Sequence, residues 1–149
     1  MQSISNLTRH SIFLIFLLTL FASLPVGLSA YINEPDGYNN INWGTDIAEL
    51  KHMKYIKTDP DNRAIVYYAQ PEDTLVFGNA ILKGIEYGFV DGKFFRVVLK
   101  VSDILNYVAM KNAAFERFGE GNAYDHFSER YFWEGKKTSI KLVSAFDIS

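Results

Sequence analysis

The sequence predicts an α+β domain in which an antiparallel sheet, built from hairpins, carries two helices packed on one face. Two kinds of spacing support this prediction. Apolar residues alternate with other residues along 84–101, which is the period of a half-buried strand. They recur every three or four residues near 45–54 and 103–118, which is the period of a helix. Hairpins join antiparallel strands, and helices commonly cover one face of such a sheet.

The first thirty residues have the three parts of a secretory signal peptide. Residues 1–10 carry Arg9 and no acid, residues 11–24 are almost wholly apolar, and residues 25–30 break the helix and end in small residues. A membrane-spanning helix needs about 20 apolar residues, and this run is shorter. We therefore expect cleavage after Ala30, export to the bacterial periplasm or the medium, and no stable membrane span in the mature chain.

Residues 31–149 suit one domain in length and composition. Arg9 is the only charged residue of the leader, so the mature chain keeps 14 of 15 basic and all 17 acidic residues, a formal charge of −3. This mild charge argues against nucleic-acid binding, which favours a basic stripe. Because the chain has no cysteine, it forms no disulfide and offers no thiol nucleophile or zinc-thiolate site, and its core alone must stabilise it.

The first predicted helix covers residues 45–54. Thr45 can cap it, and its apolar face is formed by Ile47, Leu50 and Met53. Other patterns are predicted around it: an irregular lead-in at 31–42, rich in Asn, Gly and Pro, and strands at 63–70 and 74–77.

The hairpin at 84–101 turns at Asp91-Gly92, and two registers are open. A two-residue turn would pair Phe89 with Phe94. A three-residue turn, Val90-Asp91-Gly92, instead forms three other pairs: Ile85 with Val97, Tyr87 with Phe95, and Glu86 with Arg96. This register brings the apolar partners onto one face and an ion pair onto the other. Because register follows the buried face, we predict the three-residue turn.

The second predicted helix begins at a cap on Ser102 or Asp103 and ends at Gly119. Its predicted inner face is formed by Ile104, Val108, Phe115 and Phe118. Two further strands, at 129–133 and 138–145, are joined by the turn Glu134-Gly135-Lys136 and complete the sheet.

Catalytic chemistry has few candidates in the mature chain. His52 is expected to face solvent on the first helix. His126, beside Asp125 and Glu129, forms the one cluster that resembles an acid–base site, but its spacing matches no nucleophile motif. The acidic stretch 59–62 resembles the start of a calcium loop, yet it lacks the glycine and the glutamate that such a loop requires further on. We therefore predict no metal site and no cofactor.

Aromatic residues on the strands are the better candidates for function. Successive side chains of a strand point to opposite faces, so one side of each aromatic run lies away from the helix-covered core. Tyr67, Tyr131 and Trp133 are therefore predicted to form a binding surface for a partner or ligand.

Three segments resemble a family of small exported bacterial proteins of unknown activity. They are the opening I-x-W-G-T-x-x-x-x-L at 41–50, and the stretches 86–94 and 115–121. The resemblance covers most of the mature chain and implies export, but it implies no activity. The layout is more distantly similar, at the level of fold, to modules of outer-membrane assembly lipoproteins and β-lactamase-inhibitor proteins. The chain lacks the lipidated cysteine of the assembly lipoproteins.

These observations favour an exported, non-enzymatic binding or protein-interaction domain, whose partner is an envelope protein or a small ligand. Two alternatives stay open. One is a binder of a small apolar ligand, held in a pocket between the sheet and the second helix. The other is a hydrolase that uses His126 with Asp125 or Glu129.

Overall fold

The computed structural model describes residues 31–124 and 129–144. Within these ranges the chain forms eleven strands, one short 3-10 helix at Ile47–Glu49 and one α-helix, α1, at Ile104–Phe118. In chain order the strands are β1 Gly37–Tyr38, β2 Ile41–Asn42, β3 Lys54–Thr58, β4 Ile65–Ala69, β5 Val76–Phe77, β6 Ala80–Ile81, β7 Gly84–Val90, β8 Lys93–Lys100, β9 Asn122–Ala123, β10 Tyr131–Glu134 and β11 Ser139–Leu142. The predicted signal peptide lies outside the described residues.

Antiparallel sheets dominate the architecture. The central sheet has the order β3-β4-β7-β8, a second sheet has the order β11-β10-β9, and β1-β2 and β5-β6 are two-stranded ribbons. The predicted strands at 63–70, 74–77, 129–133 and 138–145 overlap β4, β5, β10 and β11. The predicted lead-in contains β1 and β2, which are joined by Asn39 and Asn40 at positive φ.

The predicted pair of helices on one face of the sheet is wrong, because the described part of the chain has a single α-helix. In the segment 45–54, only Ile47–Glu49 is helical, and Lys54 already begins β3. A helix of this length is marginal without strong packing. From Lys54 onward, the backbone N–H and C=O groups form hydrogen bonds in the antiparallel pair of β3 and β4. The helix therefore ends after one turn.

The cap of this turn also differs from the prediction. Asp46, rather than Thr45, accepts the N–H of Ala48 at 2.9 Å. The apolar spacing correctly indicates which side chains of this segment face inward, since Ile47, Leu50 and Met53 pack against the core.

The hairpin of β7 and β8 has a two-residue turn, so the predicted three-residue turn and its pairs are wrong. Asp91 and Gly92 have φ of 50° and 75°, and Phe89 lies opposite Phe94. These left-handed angles match the twist of the flanking strands. A register shift beyond Phe89 leaves Phe95 as an extra residue, a β-bulge.

The bulge keeps the apolar side chains together despite the tight turn. It brings Val97 opposite Tyr87 and Leu99 opposite Ile85. The predicted face is therefore retained by Val97 and Leu99 but not by Phe95, which is partly exposed. The predicted pair of Glu86 and Arg96 does not form, since Glu86 lies opposite Val98.

The predicted helix before Gly119 is confirmed. Asp103 caps it by accepting the N–H of Asn106 at 2.9 Å, and Gly119 ends it with φ of 84°. Its buried residues are Tyr107, Met110, Ala114 and Phe118. The predicted inner face is correct for Phe118 but wrong for Ile104 and Val108, which are 52% and 41% exposed.

The core joins the central sheet, α1 and the β9–β11 sheet. Its largest fully buried side chains are Trp133, Tyr87, Phe89 and Phe94. Trp133 lies in the second sheet, while Phe89 and Phe94 face each other across the β7–β8 hairpin with ring centroids 5.5 Å apart. One cluster of buried residues includes members of both sheets and of α1, so these elements are held together by shared packing.

Two carboxylates hold the segment before β1 to the β10–β11 hairpin, and one of them, Asp36, pairs with Lys137 at 2.9 Å. Glu34 accepts the backbone N–H groups of Lys137 and Thr138, both at 2.6 Å, and that of Lys136 at 3.1 Å. These hydrogen bonds lower the pKa of Glu34 below its ordinary value. The contact helps to position β11, which forms part of the candidate site.

Candidate functional site

A broad, open cleft of about 2400 Å³ lies on the surface of the described residues. Both β8 and β11 line it along their whole lengths, and the inner side of α1 contributes Tyr107, Met110 and Phe118. The cleft therefore lies where the central sheet, the second sheet and the helix meet.

Two strands in this cleft have, apart from the start of β8, an edge with no partner strand among the described residues. β8 ends the central sheet, and β11 ends the second sheet. Phe94, near the start of β8, exchanges backbone hydrogen bonds with Gly44 and Thr45 at 2.7 and 2.9 Å. Beyond this point β8 pairs with β7 alone among the described residues, and β11 pairs with β10 alone. Such an edge presents unpaired N–H and C=O groups to any extended chain that approaches it.

The walls of the cleft are partly apolar. Val97 and Leu99 of β8 are only half-buried, although they face the core side of the sheet. Ile140 of β11 is also half-buried and lines the same space. An occupant that covered these side chains would gain about 25 cal/mol for each Å² of apolar surface removed from water.

The cleft is more basic than the chain as a whole. Seven of its lining residues are Lys or Arg and three are Asp or Glu, a formal excess of four positive charges, whereas the whole chain carries −2. Arg96 and Lys100 lie on β8, and Lys141 lies on β11. Lys141 is exposed and makes no ion pair with any described residue.

Three carboxylates balance part of this charge. Asp46 pairs with Lys93 at 3.0 Å, and Asp36 pairs with Lys137 at 2.9 Å. Glu86 of β7 forms ion pairs with Lys57, at 3.0 Å, and with Lys100. Burial by itself raises the pKa of Glu86, but the hydrogen bonds and charges of Lys100 and Lys57 outweigh it, so the pKa is lowered overall. Glu86 therefore stays ionised at neutral pH and holds the two lysines against the face of the sheet.

Tyr67, a predicted binding residue, lies on the face of the central sheet that bears Glu86. Its hydroxyl donates to Asp59 at 3.3 Å and accepts from Arg96 at 3.1 Å, and the ammonium of Lys57 lies 5.1 Å from its ring centroid. The residue is only 4% exposed. Its direct role is therefore to position Arg96 at the rim of the cleft.

Trp133 and Tyr131, the other predicted binding residues, lie together on β10. Trp133 is 2% exposed, and its Nε1 donates to the carbonyl of Gly119 at 2.9 Å. Tyr131 is half-buried, packs edge-on against Phe115 and lies under the ammonium of Lys111. Both rings help to dock the second sheet on α1, so a partner would contact little of their surface.

The predicted acid–base cluster is described only in part. Asp125 and His126 lie outside the described residues. Glu129 forms an ion pair with Lys111 at 2.7 Å and accepts from the Tyr131 hydroxyl at 3.3 Å. The hydrogen bond from Lys111 lowers the pKa of Glu129. His52 is exposed, as expected, although it follows the 3-10 helix rather than lying within a longer one.

Sequence reasoning missed Arg96, Lys100 and Lys141 as members of one site. Arg96 and Lys100 are separated on β8 by three apolar residues, which places the two cations on one face of the strand, and this spacing was visible in the sequence. Nothing in the local pattern indicated that β8 would be an edge strand or that β11 would line the same cleft, because both depend on contacts between distant segments.

No family model matches this chain, and comparison with curated proteins and with solved structures finds no match either. In the described part of the chain, no group of three His, Cys, Asp or Glu side chains is placed to hold a metal ion. No helix there is long and apolar enough to cross a membrane. The functional argument therefore rests on the cleft.

Proposed function

We propose that this chain is an exported, non-enzymatic binding domain and that the cleft lined by β8, β11 and α1 is its binding site. One observation carries the proposal: two strand edges that have no partner strand among the described residues and a partly exposed apolar wall line the same open space. Export is inferred from the predicted signal peptide.

The size of the cleft favours a segment of another protein as the occupant. Pockets for small molecules usually measure about 300–1,000 Å³ and bury most of the ligand. At about 2400 Å³ and open to solvent, this cleft is larger than a small ligand needs. A polypeptide segment can fill such a space and also use the backbone groups of the free edges.

A small apolar ligand is the second candidate, because Val97, Leu99 and Ile140 give the cleft an apolar wall. The hydrolase hypothesis gains no such support. Glu129, its one described member, is engaged by Lys111 and Tyr131.

The absence of cysteine allows a direct test of the proposed site. Val143→Cys places a single thiol at an exposed position in the cleft, and Ala64→Cys places one at an exposed position outside it. Each processed variant would be alkylated with a maleimide, with and without envelope extract. We expect the extract to slow alkylation of Val143→Cys alone. Equal rates with and without extract for both variants would contradict the proposal.

A further inference from the structure

We propose that the occupant of the cleft is an extended acidic peptide segment, which adds as a strand to the free edge of β8 and presents its acidic side chains to the basic residues of β8 and β11. This inference rests on the proposed function, since it names the partner of the same cleft. It follows from the regularity of the β8 edge, the charge of the cleft and the alternation of side chains along β8.

The edge of β8 is regular where it is free. After the bulge at Phe95, each residue from Arg96 to Lys100 has one partner on β7, from Gly88 back to Gly84. A peptide laid along this stretch would continue the central sheet as a fifth strand. In strand addition of this kind the main-chain hydrogen bonds supply affinity, and alternate side chains supply specificity.

The alternation along β8 specifies the side chains that the added strand should carry. Arg96 and Lys100 lie, with Val98 between them, on the face that bears Glu86, whereas Val97 and Leu99 lie on the core side. Side chains at paired positions of neighbouring strands lie on the same face, and opposite charges or apolar pairs there are stabilising. The matching peptide therefore alternates acidic and apolar residues.

Charge complementarity also selects against a second copy of this chain. Two β8 strands placed edge to edge would bring Arg96 and Lys100 of each copy close to the same cations of the other, and like charges on adjacent strands are destabilising. The ammonium of Lys141, which forms no ion pair with a described residue, adds to the positive charge on the β11 side of the cleft.

The test uses the processed protein and three labelled heptapeptides, with binding followed by fluorescence anisotropy. The first peptide alternates Glu and Val. The second alternates Lys and Val. The third has the sequence of the first but carries N-methyl groups on alternate backbone nitrogens, which removes the donors of one edge. We expect only the first to bind, and we expect the backbone amides of residues 96–100 to gain protection from hydrogen exchange.

Two charge-reversal variants distinguish binding of the peptide in the cleft from a non-specific attraction to the charge of the whole protein. Lys141→Glu reverses a cation in the cleft, and Arg63→Glu reverses an exposed cation outside it. If the ion pair between Lys141 and the bound acidic peptide contributes about 1 kcal/mol, the Lys141→Glu substitution should raise the dissociation constant of the peptide by about fivefold or more. The Arg63→Glu variant should bind within about twofold of the unsubstituted protein.

Several results would overturn the inference: equal binding of the N-methylated peptide, equal binding of the basic peptide, or equal weakening by Lys141→Glu and Arg63→Glu. A failure of the acidic peptide to bind would also overturn it. If that failure were accompanied by binding of the apolar dye anilinonaphthalene sulfonate that protects Val143→Cys from alkylation, the cleft would remain a binding site with a different occupant. If neither probe bound and envelope extract gave no protection, both proposals would fall.

Discussion

The hydroxyl of Tyr87 donates a 2.7 Å hydrogen bond to the carboxylate of Asp73 beneath the central sheet. The same hydroxyl accepts from the side-chain amide of Asn39 at 3.0 Å, so it joins β7 to the loop before β5 and to the β1–β2 turn. Tyr87 has no exposed surface. Burial, followed by the hydrogen bond to Asp73, raises the pKa of its phenol well above the ordinary value.

Tyr87→Phe should lower the free energy of unfolding by about 1–2 kcal/mol, because Asp73 and Asn39 each lose a hydrogen bond to the buried hydroxyl, although they keep the 3.1 Å bond between them. Urea unfolding followed by circular dichroism measures this change. Tyr55→Phe is the matched control, since Tyr55 is exposed and its hydroxyl bonds only to Thr58. Equal losses in the two variants would contradict the structural role of the Tyr87 hydroxyl.

The raised pKa of Tyr87 predicts a loss of stability in alkali. The folded state keeps the phenol protonated, whereas the unfolded chain releases its proton near pH 10. The stabilising contribution is therefore fully present below about pH 10 and declines as the pH rises through the higher pKa of the folded state. Urea unfolding at about pH 8 and about pH 11 should show the decline, and Tyr87→Phe should make it smaller. If the free energy of unfolding declined equally in Tyr87→Phe and in the unsubstituted protein, Tyr87 would not be a source of the loss of stability in alkali.

Gly121→Ala should destabilise the protein by about 1–3 kcal/mol, because the added methyl group would meet the ring of Trp133. A Cβ at this position would lie 2.7 Å from Cζ2 of that buried indole. Gly84→Ala is the control, since a Cβ there has no neighbour within 4 Å. Thermal unfolding of both variants measures the difference. An unchanged midpoint for Gly121→Ala would show that Trp133 packs differently.

The two sides of α1 should respond differently to truncation. Met110→Ala should cost about 2–4 kcal/mol, because Met110 is buried in the core. Leu105→Ala should change the free energy of unfolding by less than about 0.5 kcal/mol, since Leu105 is 79% exposed. Chemical denaturation tests both values. The reverse order would contradict the burial of Met110 and the exposure of Leu105.

We expect the mature protein to begin at Tyr31. If the predicted signal peptide is cleaved after Ala30, N-terminal sequencing or intact mass of exported material will read the new terminus directly. Substituting Ala30 with a bulky residue such as Leu should slow cleavage, because signal peptidases require small residues at the cleavage site. Exported protein that starts at Met1 would refute the predicted signal peptide.

The elements that sequence reasoning predicted well are those whose signals are local. The helix α1 has a cap at Asp103 and a glycine at 119, and both were visible beside its apolar pattern. The hairpin of β7 and β8 was equally clear, because Asp91-Gly92 separates two alternating runs. The register of this hairpin was not clear from the sequence. A bulge at Phe95 allows the two-residue turn and still places the apolar side chains of both strands on one face. Turn signals do not encode such a bulge.

The candidate site was less predictable than the fold elements. The aromatic character of Tyr67 and Trp133 predicts that they bind a partner, but the exposure of their side chains depends on which other residues cover them. Residues distant in the sequence do so: Arg96 and Lys57 contact Tyr67, and α1 with Gly119 covers Trp133. The cleft residues Lys100 and Lys141 carried no local signal of their shared location.

The sequence by itself determined the alternating strands of the β7–β8 hairpin, the limits of α1 and the position of the turn between the two strands, because each follows from side-chain spacing and backbone preferences within a few residues. Only the tertiary structure decided that the segment from Lys54 is a strand and that β8 and β11 are edges of one cleft. Strand pairing and burial are set by contacts between segments far apart in the chain, and their free energies outweigh weak local propensities.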